Sequence, residues 1–157
     1  MRFFRKNPAL LAVADGRALP LSAVPDEAFA SGILGVGLAI EPSSERILSP
    51  AAGRVESVAE TAHAYSILTE DGLDLLVHVG IDTVKLGGEG FSPAVRTGDR
   101  VKAGDLLVQV DLSLLQRRGL PTVTPVLVTN PEQLSVHELS LGDTVGGKTA
   151  VMRYQIR

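Results

Sequence analysis

The feature that most limits the fold is punctuation: 16 glycines and 9 prolines are spaced through 157 residues and cut most of the chain into short apolar runs. Residues 10–14 lead into Gly16, residues 35–40 stop at Pro42, residues 47–49 end at Pro50, and residues 54–58 follow Gly53. Residues 61–69 and 73–80 flank Glu70-Asp71-Gly72, and further runs fall at 106–111, 123–129 and 151–156. Runs of this length between Gly and Pro read as strands joined by turns, not as a helical bundle. Helical turns are expected only at 26–30, after Pro25, and at 113–118, each opened by an Asp or Ser that can cap it. The expected class is all-β: two packed sheets or a flattened barrel with a few short helical turns.

Aromatics are only 4% of residues, so Val, Leu, Ile and Ala must build the core. The length suits one domain and no long polar linker interrupts it, so residues 13–157 are read as a single domain behind a tail and lead-in at 1–12. A net charge of −3 and a pI near 5.6 argue against a nucleic-acid partner. The absence of cysteine removes disulfides, thiolate metal sites and cysteine nucleophiles, and fits a reducing compartment. The basic, aromatic start MRFFRK is too weakly followed by apolar residues for a signal peptide, and no run suits stable membrane insertion.

The chemistry concentrates in residues 61–80, which hold His63 and His78. If Glu70-Asp71 forms the tip of a hairpin, His63 lies opposite His78. If Asp71-Gly72 forms it, His78 faces Tyr65 and His63 sits diagonally beside it. Either two-residue turn puts both imidazoles on one face, because side chains alternate with period two; an odd-length loop would separate them. On this reading Leu73, Leu75, Val77 and Val79 face the core. Asp74, Leu76 and His78 face outward, joined by His63, Tyr65 and Ile67.

A neutral imidazole nitrogen near such a partner is a competent nucleophile toward phosphorus, and a second imidazole can donate to phosphoryl oxygens. Two histidines on a hairpin also suit zinc, but no third ligand is evident and HExxH is absent. Ordinary structural histidines remain the third possibility. His137 stands outside the cluster and reads as a surface residue. Lys102, in TGDRVKAGDLL, sits where carrier domains present a modified lysine, yet Gly-Asp pairs on both sides fit a plain structural turn. Gly80, Gly87, Gly88 and Gly90 lack a phosphate-loop pattern and read as turn glycines, and Asp111 as a turn or cap.

Residues 76–91, LVHVGIDTVKLGGEGF, closely resemble the signature of glucose-type enzyme IIA of the bacterial phosphoenolpyruvate-dependent sugar phosphotransferase system. Other hallmarks of that family follow in order: PLSAVPDEAF at 20–29, SPAAG at 49–53, ETAHA at 60–64, TGDRVKAG at 97–104, VDL at 110–112 and TPVLVTN at 124–130. The resemblance implies a compact antiparallel β-sandwich. It implies that His78 accepts a phosphoryl group from the phosphocarrier protein HPr, that His63 supports it, and that Thr61 orients His63. It places Asp26 and Asp82 at an acidic docking rim, and Phe29, Ile33, Leu34 and Leu76 on an apolar docking surface. The implied recipient is a cysteine of the IIB domain of a membrane sugar transporter, with regulated metabolic enzymes as further partners. No metal or cofactor is called for, and the implied location is the cytoplasm. Two departures stand out: Val36 replaces an acidic residue common between Gly35 and Gly37, and Tyr65 replaces a frequent phenylalanine, so that either could alter partner choice.

Overall fold

The computed structural model describes residues 8–157, so MRFFRK lies outside the described residues. In chain order the strands are β1 (Ala9–Leu11), β2 (Gly16–Pro20), β3 (Val36–Pro42), β4 (Arg46–Leu48) and β5 (Gly53–Val58). Next come β6 (Ala64–Thr69), β7 (Asp74–His78), β8 (Phe91–Pro93), β9 (Arg100–Val101) and β10 (Leu106–Val110). The last four are β11 (Thr124–Val128), β12 (Leu134–Leu139), β13 (Gly142–Thr144) and β14 (Ala150–Ile156). Two short helices, α1 (Glu27–Ala30) and α2 (Leu112–Arg117), join 3-10 turns at Leu21–Ala23, Thr83–Leu86 and Pro131–Gln133. The all-β expectation holds. Asp26 caps α1 through its carboxylate, and Asp111, not Ser113, caps α2 by accepting from the Leu114 N–H at 3.0 Å.

Eight strands form one antiparallel sheet in the order β13-β2-β3-β11-β7-β6-β5-β9, and two three-stranded sheets, β1-β14-β12 and β4-β10-β8, complete the sandwich. One core unites Leu38, Ile40, Ile67, Leu75 and Val77 of the large sheet with Leu10 and Met152 of one small sheet and Ile47 and Leu107 of the other. Leu10 and Ala12 are fully buried, so the expected lead-in already belongs to the fold from β1 onward.

The outer face of the large sheet carries a second, smaller core. Val24 and Phe29 fold over it and meet Ala39, Ile81, Val123 and Leu127, with Leu76 packed alongside. Pro25 ends the extended approach and Asp26 starts the helical turn, which drops Phe29 onto the sheet beside His78.

The β6–β7 hairpin departs from both expected registers. Its loop holds three residues, Glu70, Asp71 and Gly72, closed by Gly72 N–H to Thr69 O (3.1 Å) and Thr69 N–H to Leu73 O (2.9 Å). Gly72 takes φ 93, the left-handed position such loops require. Ala64 therefore pairs with His78 and Tyr65 with Val77. Tyr65 and Ile67 point into the core, not outward, at 0% and 1% exposure, while Ala64, Ser66 and Leu68 share the His78 face. The energetics favour this register. Burying Tyr65 and Ile67 in place of Ala64 and Ser66 is worth several kcal/mol at roughly 1.5–3 kcal/mol per large apolar side chain, more than any two-residue turn could return.

Candidate functional site

His78 ends β7, and the chain then turns sharply through Gly80 and Asp82, both with left-handed backbones (φ 74 and 60). His63 lies just before β6. In a regular strand with this odd register it would face away from His78. Ala62 prevents that by taking φ 61, a left-handed step that lifts His63 out of the pleat. The ladder still reaches it, since the Val79 N–H donates to His63 O at 2.7 Å. The rings meet edge to face with centroids 5.1 Å apart and an interplanar angle of 80°. The juxtaposition expected from an even-length turn is thus produced by a backbone kink instead.

The hydrogen bonds define the chemistry of each ring. His78 Nδ1 lies 2.7 Å from the Gly80 carbonyl oxygen. A carbonyl only accepts, so Nδ1 carries the proton, and in the neutral ring the lone pair is on Nε2. His63 Nδ1 lies 2.7 Å from Thr61 Oγ1. Phe29 also packs against His78, at 5.1 Å between centroids. Burial pushes the His78 imidazole below its ordinary value, opposed by the Gly80 hydrogen bond and by the negative charges of Asp26 and Asp82. His63 is lowered too, by burial first and then by His78. Both effects favour neutral, nucleophilic rings at neutral pH.

Around the pair, Asp26 is half-buried at its cap and Asp82 is exposed at the head of the 3-10 turn. Ile33 and Leu34 are exposed at 79% and 42%, an uncommon presentation for two adjacent large apolar residues. Phe29 and Leu76, expected on the docking surface, lie mostly in the second core, so they shape the floor of the site more than its rim. Val84, 55% exposed on the 3-10 turn after Asp82, is an apolar residue that the sequence reading passed over. Gly80 is a turn glycine, as expected, and its carbonyl also fixes the His78 tautomer; its place two residues beyond the histidine is the sequence signal for that role.

Other candidates separate from the site. Tyr65 is fully buried and so does not bear on partner choice through the surface. Lys102 stands in a turn closed by its own N–H to Asp105 Oδ2 (2.8 Å). Gly90 is hemmed in by Leu114, and Gly88 lies against the Thr61 backbone. Among the described residues, no three His, Asp or Glu side chains gather where they could hold a metal ion, and no helix is long and apolar enough to cross a membrane.

The sequence profile described as "phosphoenolpyruvate-dependent sugar phosphotransferase system, EIIA 1" matches residues 8–134. The chain belongs to that family. Within it, the chain is 38% identical over 150 residues to the glucose-specific EIIA component of Buchnera aphidicola, covering 96% of this chain and 93% of the relative. It is 42% identical over 144 residues to the glucose-specific EIICBA component of Streptococcus pneumoniae, covering 92% of this chain but only 20% of that larger protein. Among solved structures, the glucose permease IIA of Mycoplasma capricolum superposes with a TM-score of 0.86 at 35% identity, covering 97% of this chain and 99% of the other. By family, this EIIA chain is a component of a phosphotransferase system, and its sandwich is the family's fold.

Proposed function

We propose that this chain is a cytoplasmic phosphoryl carrier in sugar uptake, taking the group from HPr on His78 and giving it to the IIB domain of a membrane sugar transporter. The observation that carries this reading is the 2.7 Å bond from His78 Nδ1 to Gly80 O, which leaves Nε2 as the free nitrogen in a ring already disposed to be neutral. In the forward step the Nε2 lone pair attacks the phosphorus of the donor phosphohistidine; the new N–P bond forms as the donor's N–P bond breaks, and the donor nitrogen keeps the electron pair. In the next step a cysteine thiolate of IIB attacks the same phosphorus and His78 recovers its lone pair. No water enters either step.

His63 supports the phosphorylated state. Thr61 Oγ1 lies 2.7 Å from His63 Nδ1; in the proposed arrangement the hydroxyl donates there, so that His63 keeps its proton on Nε2 and offers it to a phosphoryl oxygen. Asp26 and Asp82 give the rim negative charge suited to a basic partner surface, which speeds docking more than it tightens it. The exposed Ile33 and Leu34 exclude water from the contact. Names of relatives such as the EIICBA component, which join A to B and C units in one protein, support a IIB recipient.

Incubation with phosphoenolpyruvate, enzyme I and HPr tests the reading. Acid-labile phosphate should appear on His78 and vanish in His78→Ala, whereas His63→Gln should accept phosphate but pass it on poorly. Unlabelled wild-type protein would refute the proposal. Phosphorylation also places up to two negative charges beside the exposed apolar face, which suits regulated binding of metabolic enzymes or transporters. Pull-downs with the two forms should then recover different partners, and identical sets would count against regulation.

A further inference from the structure

The turn that follows His78 is held by more than its own backbone preferences. Gly80 and Asp82 are both left-handed, and Asp82 has a Cβ that disfavours that conformation. Space is also short: a Cβ on Gly80 would stand 2.6 Å from Thr83 Cγ2, 2.9 Å from Pro121 O and 3.1 Å from Leu115 Cδ2. Two bonds pin the turn. The Ile81 N–H donates to Pro121 O at 3.1 Å, and Thr83 Oγ1 donates to Val79 O at 2.6 Å.

Thr83 is wholly buried, so its hydroxyl has no water to turn to. Its acceptor belongs to the residue that separates His78 from Gly80. The N–H of that same residue, Val79, is held by His63 O at 2.7 Å. One residue is therefore clamped at both polar groups, on one side toward His63 and on the other by Thr83. The next carbonyl along is Gly80 O, the acceptor for His78 Nδ1. Freed from Thr83, the Val79–Gly80 peptide could rotate, and the change in Gly80 φ would tilt the following peptide, swing its carbonyl, Gly80 O, off Nδ1 and release the ring to its other tautomer.

We propose that Thr83 is a positioning residue for His78: its hydroxyl locks the turn at 79–82, so that Gly80 O stays on Nδ1 and Nε2 remains the reactive nitrogen. The proposal rests on the phosphohistidine reading for its purpose, but the tautomer can be read without any phosphoryl donor. Thr83→Val keeps the shape and removes the hydroxyl, while Thr83→Ser keeps the hydroxyl and removes Cγ2.

Nitrogen-15 NMR of the histidine rings should show the wild type and Thr83→Ser with His78 protonated on Nδ1 alone when neutral. Thr83→Val should show mixed tautomers, and its rate of phosphate acceptance from phospho-HPr should fall about 10- to 100-fold, the scale of a misplaced reacting group. A folded Thr83→Val with the wild-type His78 spectrum, or with the wild-type acceptance rate, overturns the proposal. Mixed tautomers in Thr83→Ser overturn it as well, and that arm decides the matter if Thr83→Val does not fold. Failure of the wild type to take up phosphate would sink the carrier reading while leaving the tautomer result to judge Thr83.

Discussion

On the proposed carrier reading, protonation of His78 removes the nucleophile, so the pH response follows from the position of one imidazole. Its value lies below the ordinary 6.5, chiefly because burial penalises the charged ring. Phosphate acceptance should therefore hold steady as pH falls through 6.5 and drop only at lower pH, as rapid-quench labelling would show. Stability moves the other way in cause but along the same axis. Below about pH 6.5 the unfolded chain binds protons that folded His78 and His63 still refuse, so unfolding free energy declines from there down to their folded values and is flat above. The slope is at most about 1.4 kcal/mol per pH unit for each histidine. Chemical denaturation of wild type and His78→Gln across this range should show the slope reduced in the variant. Tyr65 makes a different residue-scale prediction. Its hydroxyl is buried without a hydrogen-bond partner among the described residues, and burial pushes its ionisation up. Tyr65→Phe should raise stability by about 1 kcal/mol, the cost of an orphaned buried donor, and unchanged or lower stability would show that the hydroxyl finds compensation.

At the scale of elements, α1 shows how four helical residues can serve two ends. Asp26 Oδ1 accepts from the Ala28 N–H at 2.9 Å, which starts the turn that seats Phe29 against His78, while its charge favours protonated His78 and faces the rim. The two contributions come apart in substitutions. Asp26→Ala should lose the cap and about 1 kcal/mol of stability in denaturant unfolding. Asp26→Asn should keep the cap and the stability, yet slow phosphate acceptance from phospho-HPr and make it less sensitive to salt. Equal stability losses in both variants would place the effect of Asp26 in charge and not in capping. The large sheet's outer strand, β9, is also shaped by position. It is only two residues long, and Arg100 pairs directly with Arg54, a like-charge neighbour that discourages a further strand from adding to this edge.

Over the whole molecule, the core and the proposed docking face draw on different residues. Leu38, Ile40, Leu75 and Val77 hold the sheets together, whereas Ile33 stands 79% exposed and packs into neither core. Ile33→Ser should accordingly leave stability within about 0.5 kcal/mol of the wild type. It should still raise the concentration of phospho-HPr needed for half-maximal labelling. A substantial drop in melting temperature would instead assign Ile33 to the fold.

Sequence alone determined the class of this fold, because Gly and Pro spacing limits how long any element can run, and alternation in residues 73–79 marks the core face of β7. The pairing of His63 with His78 was named from the sequence for a reason that tertiary structure replaced. The three-residue loop at Glu70–Gly72 shifts the register by one, which sends Tyr65 and Ile67 inward, and only the left-handed Ala62 brings His63 back to His78. Neither effect is visible in a chain read residue by residue, since a loop's length and a backbone's sign of φ are settled by what the flanking strands must bury. The Gly80 carbonyl and the Thr83 hydroxyl are hidden for the same reason: a hydrogen bond's direction exists only once the chain has turned.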